Sequence, residues 1–160
     1  MEWQKDQYSI STDKSKLDLG MIHHFLYTTA YWAVGRPMNV VRKSIENSLC
    51  FGVYDGTTQV GFARMVTDCA TVGWMCDVFI LPSHRGRGLG RWLVECILEH
   101  PDIGGLRRIL LNTRDAHELY EKYGGFRPMR APESWMEKFT ETPFRRGKPP
   151  AVPKDSKLPG

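Results

Sequence analysis

Apolar and polar positions along this chain change period several times, and each change marks an element. From Asp18 onward, Leu19, Ile22, Phe25 and Leu26 recur three and four apart, the spacing of a helix with one buried face. Asp18 stands where an N-cap acceptor is wanted, and Gly35-Arg36-Pro37 ends the stretch. Val41 and Ile45 lie four apart in a second, shorter helix that Asn39 is placed to cap. The period then falls to two. Leu49 to Tyr54 and Gln59 to Val66 read as strands joined through the hairpin pair Asp55-Gly56, and Gly73 to Leu81 as a third. A helix through Leu93, Ile97 and Leu98 ends before Pro101 and leads into a strand over Arg108 to Asn112. Asp115-Ala116-His117-Glu118 has the spacing of a capping box for a helix carrying Leu119, Tyr120 and Tyr123, which Gly124-Gly125 terminates. With Tyr8 to Ile10 as a short first strand, and Phe126 to Met129 and Trp135 to Phe139 as the last two, the predicted order is β, α, α, β, β, β, α, β, α, β, β.

Chemistry concentrates where a strand meets a helix. Val78 to Leu81 is apolar, Pro82 to Gly90 is rich in Gly and Arg, and Arg91-Trp92 opens an amphipathic run. Gly86, Gly88 and Gly90 let the backbone turn with its N–H groups inward, and the helix that follows adds unpaired donors and a positive dipole end. A pyrophosphate fits such a cradle. The spacing is neither Gly-x-Gly-x-x-Gly nor a loop closed by Lys-Ser/Thr, so the dinucleotide and Walker readings weaken. Taken alone, the same residues also describe a solvated turn.

Composition narrows the field. The 160 residues are 41% hydrophobic and 25% charged, the profile of one ordinary globular domain, expected over residues 1–141. The formal charge of +4 resides in residues 142–160, which hold five Lys/Arg and one Asp; the rest balances. A nucleic-acid partner loses its main support, leaving only a tail-mediated, salt-sensitive binding as an outside reading. Those last residues, with five prolines and no apolar periodicity, read as a disordered tail. No long apolar run or secretory leader stands out, so a cytoplasmic protein without membrane contact is expected. Cys50, Cys69, Cys76 and Cys96 form no Cys-x-x-Cys pair, and the histidines no ligand spacing, so no metal is expected.

The run Arg85-x-x-Gly88-x-Gly90 after Val-x-Ile-x-Pro, followed by Ala116-x-x-Leu119-Tyr120-Glu121-Lys122 and Gly125-Phe126, resembles the GNAT superfamily of N-acetyltransferases over roughly residues 7 to 139. The resemblance implies an α+β, three-layer fold: a mixed, mostly antiparallel sheet of about six to seven strands with about four helices. It implies acetyl-CoA as co-substrate, an amine acceptor, and a monomer or homodimer. Two departures stand out. Tyr123-Gly124-Gly125 has one glycine more than the family pattern, and Thr113 stands where these enzymes often carry Asn, with Asn112 beside it.

Site residues follow by the same resemblance. The backbone of Phe79 and Ile80 would pair with the pantetheine arm, and Arg85, Gly86, Arg87, Gly88, Leu89 and Gly90 would hold the diphosphate, with Asn112 nearby. Arg85 and Arg87 would add charge, or stand in solvent. Tyr120 would donate a proton to the departing thiolate, as a phenol that stays protonated at neutral pH can. Asp77, a lone carboxylate in an apolar strand, has two readings: proton acceptor for the amine, or structural carboxylate paired with backbone or arginine. Cys76 occupies the place where some relatives carry Glu, and reads as packing. Tyr31, Trp32 and Arg36, after the first helix, would face the acceptor, Tyr31 and Trp32 as walls and Arg36 as a carboxylate recogniser, although Trp32 can equally seal the core. A non-catalytic acyl-CoA-binding module is the alternative of a different class.

Overall fold

Nine consecutive residues, Val72–Ile80, form a strand that outlasts its neighbour on one side, and that mismatch organises the molecule. The computed structural model describes residues 1–140. Within them, strands β1 (Glu2–Lys5), β2 (Tyr8–Ser11), β3 (Leu49–Asp55), β4 (Thr58–Thr67), β5 (Val72–Ile80) and β6 (Arg108–Leu110) lie in chain order in one sheet. Neighbours are antiparallel until β5 and β6, which are parallel. A parallel pair needs a crossover. Helices α3 (Leu89–Glu99) and α4 (Pro101–Gly104) supply it.

Because β6 has only three residues, it pairs with Val72–Trp74 alone. From Met75 to Ile80 the edge of β5 on that side has no strand beside it among the described residues. The sheet is splayed there.

Helices α1 (Leu19–Thr28) and α2 (Met38–Glu46) cover one face of the sheet, and α3 and α5 (His117–Gly124) the other. On the first face Ile22, Phe25, Val41 and Ile45 bury against Phe62 and Phe79, with the Phe25 and Phe79 rings stacked at 3.9 Å. On the second, Phe51, Met65, Leu93 and Ile97 are fully enclosed. Each such side chain contributes about 1.5–3 kcal/mol. The three-layer α+β arrangement is the one expected.

Several local expectations are corrected. Residues Glu2–Lys5, to which no element was assigned from sequence, form β1 through a turn at Asp6, whose φ is +53°. Helix α2 starts after Pro37 with no side-chain cap, so Asn39 sits inside it. The Asp115–Glu118 capping box does not form. The N-cap of α5 is Ala116, whose amide donates to the Thr113 hydroxyl at 3.1 Å, while Asp115 pairs with Arg114 at 3.8 Å. The two last strands, at Phe126 to Met129 and Trp135 to Phe139, are also not strands. Pro128 and Pro132 remove donors from the run, Trp135 stacks on the Arg108 guanidinium at 4.8 Å, and Met136 and Phe139 stay exposed. The expected tail, 142–160, lies outside the described residues.

Candidate active site

At the end of β5 the register decides which backbone groups are free. Leu81 donates its N–H to Val60 O at 2.8 Å, and Phe79 lies opposite Phe62. Alternation along an antiparallel pair then turns the amide and carbonyl of Phe79 towards β4 and those of Ile80 towards the open side. Arg85 Nε donates to Ile80 O at 3.0 Å, which agrees with that direction. Of the two residues expected to meet a pantetheine arm through backbone, Ile80 faces the splay; Phe79 is spent on β4, with its ring in the core.

The glycine loop follows. Gly86 and Gly88 both have φ of +75°, a conformation open to glycine at little cost, and Gly88 is the N-cap of α3. A side chain added at either would meet nothing within 4 Å, so the loop borders open space. No side chain caps α3, and the first bonded amide of the helix is that of Trp92, to Gly88 O at 3.1 Å. The amides of Leu89, Gly90 and Arg91 precede it, at the positive end of an eleven-residue helix. The buried Leu89 side chain pegs this turn to the core. Arg87 donates to the Tyr8 hydroxyl at 2.8 Å, so both expected phosphate arginines, Arg85 and Arg87, are tied to protein acceptors and fix the loop's shape. Burial lowers the Arg85 pKa.

Asp77 interrupts β5 with φ of +52°, where the register against β4 slips between Arg64 and Phe62. Its carboxylate Oδ2 accepts from Arg64 Nε at 2.6 Å and Arg36 NH1 at 2.7 Å, and Oδ1 from Trp32 Nε1 at 3.0 Å. Burial pushes the Asp77 carboxyl up, but the Arg64 and Arg36 guanidiniums overcome it and hold the pKa below the usual value. A carboxylate so held is a weak proton acceptor. The geometry is that of the structural carboxylate, one of the two readings of this position. Neighbouring Cys76 has its thiol pKa raised, chiefly by burial, away from the reactive thiolate.

The same contacts make a strap of the segment after α1. Trp32 and Arg36 bind Asp77 on β5, while the Tyr31 hydroxyl accepts from Arg114 N at 3.0 Å beyond β6, and the Arg114 guanidinium stacks on the Tyr31 ring at 3.8 Å. The strap therefore bridges the splay. Tyr31 was expected beside the acceptor with Trp32, but its partner Arg114, and Arg64 on β4, were not among the sequence-derived candidates, since their roles arise from contacts between distant segments. Tyr120, on α5, is buried; burial, with Tyr31 and Asp115 adding to it, pushes its hydroxyl up to about 12. Its place is set by the double glycine. Gly125 caps α5 with φ of +65°, and a Cβ on Gly124 would lie 2.7 Å from the Phe126 ring, which packs edge-on to Tyr120 at 5.8 Å. Asn112, past the end of β6, is exposed and has no contact that ties it to the site.

A groove of about 710 Å³ lies along β6 and the chain after α5; Phe126 lines it, but Trp32, Arg36, Asp77, Tyr120 and the glycine loop do not. Among the described residues no cluster of three or more His, Cys, Asp or Glu could hold a metal, and no helix is long and apolar enough to cross a membrane.

Residues 46–127 match the family described as acetyltransferase (GNAT) domain. The chain belongs to the GNAT acetyltransferases. A Gibberella zeae protein that bears the name acetyltransferase is 33% identical across an alignment 150 positions long, which covers 80% of this chain and 84% of that protein. A GNAT-family acetyltransferase structure from Xanthomonas campestris pv. campestris superposes with a TM-score of 0.81 at 46% identity, covering 83% of this chain and 93% of the other. A Clostridium acetobutylicum acetyltransferase solved with acetyl-CoA shares the fold, with a TM-score of 0.56 at 14% identity over 87% of this chain and 96% of that one. This GNAT chain is thus an acyltransferase by family, and its family uses acetyl-CoA.

Proposed function

We propose that this GNAT chain transfers the acetyl group of acetyl-CoA to a primary amine by direct attack, with Tyr120 as the general acid. The observation that carries the reading is the splay itself: an open β5 edge at Ile80 runs straight into a glycine loop and an uncapped helix N-terminus. A pantetheine arm can add to such an edge as a strand does, and the amides of Leu89 to Arg91 suit a diphosphate.

The acceptor nitrogen attacks the thioester carbonyl carbon, the carbon–sulfur bond breaks, and the Tyr120 hydroxyl supplies a proton to the departing sulfur. Tyr120 is suited to this, because its pKa of about 12 keeps it protonated throughout the working range. The amine's surplus proton passes to solvent, and solvent returns a proton to the Tyr120 oxygen. An alkylamine with pKa near 10 is only about one part in a thousand neutral at pH 7, a cost of about 4 kcal/mol. Asp77 does not offset this as a base; we assign it the role of holding the strap, through Trp32 and Arg36, against β5.

Replacing Tyr120 by Phe tests the reading. Turnover should fall by about 10²–10⁴ while acetyl-CoA still raises the melting temperature as in the parent. The rate of the parent should climb with pH to the pKa of the amine, with no decline until near 12, because the acid stays protonated. A Phe variant with full turnover would remove the general acid. An absence of any acetyl-CoA stabilisation in the parent would remove the donor site.

A further inference from the structure

The strap and the strands beneath it hold more positive charge than negative, and the excess is buried. Arg36, Arg64 and Arg114 face Asp77 and Asp115. Arg114 and Asp115 form their own loose pair at 3.8 Å. That leaves two guanidiniums on one carboxylate: the Arg36, Arg64 and Asp77 side chains are 14%, 12% and 2% exposed. Both arginines converge on the same oxygen, Oδ2. Arg64 spends a further donor on the Ser48 hydroxyl at 3.2 Å, whereas Asp77 is the acceptor Arg36 has among the described residues. A guanidinium largely covered by protein, whose spare donors still reach solvent, favours an anion, and an arriving cation would be repelled by the uncancelled charge. Beside it, the Trp32 indole gives up its N–H to Asp77 yet remains 37% exposed, an apolar wall next to the charged group.

We infer that the amine accepted by this enzyme also carries an anionic group, a carboxylate in the simplest form, which docks on Arg36 against Trp32. The inference rests on the acetyl-transfer reading and narrows its substrate class. It excludes polyamines and other purely cationic amines as good acceptors.

The test uses the whole chain, acetyl-CoA, and thiol release, with amines paired with and without the carboxylate and rates compared per neutral amine: phenylalanine against phenethylamine, and lysine against cadaverine. The carboxylate member of each pair should have the higher kcat/KM, by at least about tenfold, the scale of one charge-assisted hydrogen bond. Arg36→Gln should bring that ratio to about one whatever it does to the absolute rates, while Arg36→Lys restores part of it. Carboxylate-free amines that match or exceed their partners overturn the inference and leave acetyl transfer intact. Calorimetric titration of the protein saturated with coenzyme A decides independently of turnover: hippurate should bind and benzylammonium should not, and the reverse order, or no hippurate binding, overturns it. Failure of acetyl-CoA itself to bind or to release thiol with any amine strikes the underlying reading instead.

Discussion

The glycine loop proposed to cradle the donor and the strap proposed to receive the acceptor both border one splay, yet they are built from different materials. The cradle is a continuous stretch, Ile80 to Arg91, whose working groups are backbone amides aimed by two positive-φ glycines and a helix start. The strap is a set of side chains from four segments: Trp32 and Arg36 reach Asp77 from 45 and 41 positions away, and Tyr31 reaches Arg114 across 83. A backbone site can be written in a dozen adjacent residues. A side-chain site has to wait for the fold.

The two should therefore break differently, and the strap should break hardest. Asp77→Asn keeps the shape of the side chain and tolerates the left-handed backbone at this position, so it isolates the charge. Two guanidiniums would then lie buried without their counter-ion, which costs about 3–5 kcal/mol. The variant should melt far below the parent and lose activity, as the strap comes away from β5. The pH dependence carries the sign of the shift. Burial raises the Asp77 carboxyl, but Arg64 and Arg36 bring it below 3.8, so its share of stability is complete above that value and is lost as pH falls through the folded-state pKa. Acid unfolding curves should show this step in the parent and lack it in the Asn variant. A variant as stable as the parent would mean that the arginines have other partners.

Gly88→Val attacks the cradle and should leave the strap alone. Its Cβ would meet no atom of the protein, but the φ of +75° forces a branched side chain into a strained state worth about 1–3 kcal/mol, and the chain would project into the space the diphosphate needs. Acetyl-CoA should stop raising the melting temperature while hippurate binding persists. Loss of both ligands together would show that the two halves are one cooperative unit rather than separable sites.

What could be read in the sequence follows the same division. The loop's glycines, its preceding strand and its helix are neighbours, and the periods of Leu93 and Ile97 or Phe25 and Leu26 name the buried faces without help. Asp77 stood out as a carboxylate in an apolar strand, but its partner arginines, one on β4 and one after α1, carried no local sign of their role. The capping box at Asp115 failed for a related reason: Asp115 turned to Arg114, and Thr113, one of the departures from the family pattern, took the helix amide instead. The expected final strands failed because alternation in Phe126 to Phe139 had no long neighbour to pair with, β6 ending at Leu110. The extra glycine that departs from the family pattern, by contrast, has a local explanation once Phe126 is seen folding back on Gly124.

That fold-back gives a smaller test, since it touches Tyr120 and neither half directly. Gly124→Ala puts a methyl 2.7 Å from the Phe126 ring, so the ring has to move and its edge-on contact with Tyr120 loosens. Overpacking of this kind costs about 1–3 kcal/mol. Turnover should fall with acetyl-CoA and hippurate binding both retained, which would separate proton delivery from the two binding sites. Unchanged turnover would show that Tyr120 is held by α5 alone.

The mildest change is Thr113→Val, which keeps the side chain's volume and removes the acceptor for the Ala116 amide. Loss of a cap hydrogen bond costs about 1 kcal/mol. Thr113→Ser, which keeps the hydroxyl, should recover most of it. Because Arg114 lies between Thr113 and the helix and ties the strap through Tyr31, the Val variant also asks whether the start of α5 and the strap move together. If they are independent, melting drops slightly and the carboxylate preference over phenethylamine is unchanged. If the preference collapses along with the cap, then the far anchor of the strap is set by a single hydroxyl at the helix start, and the acceptor side depends on the α5 turn that carries Tyr120.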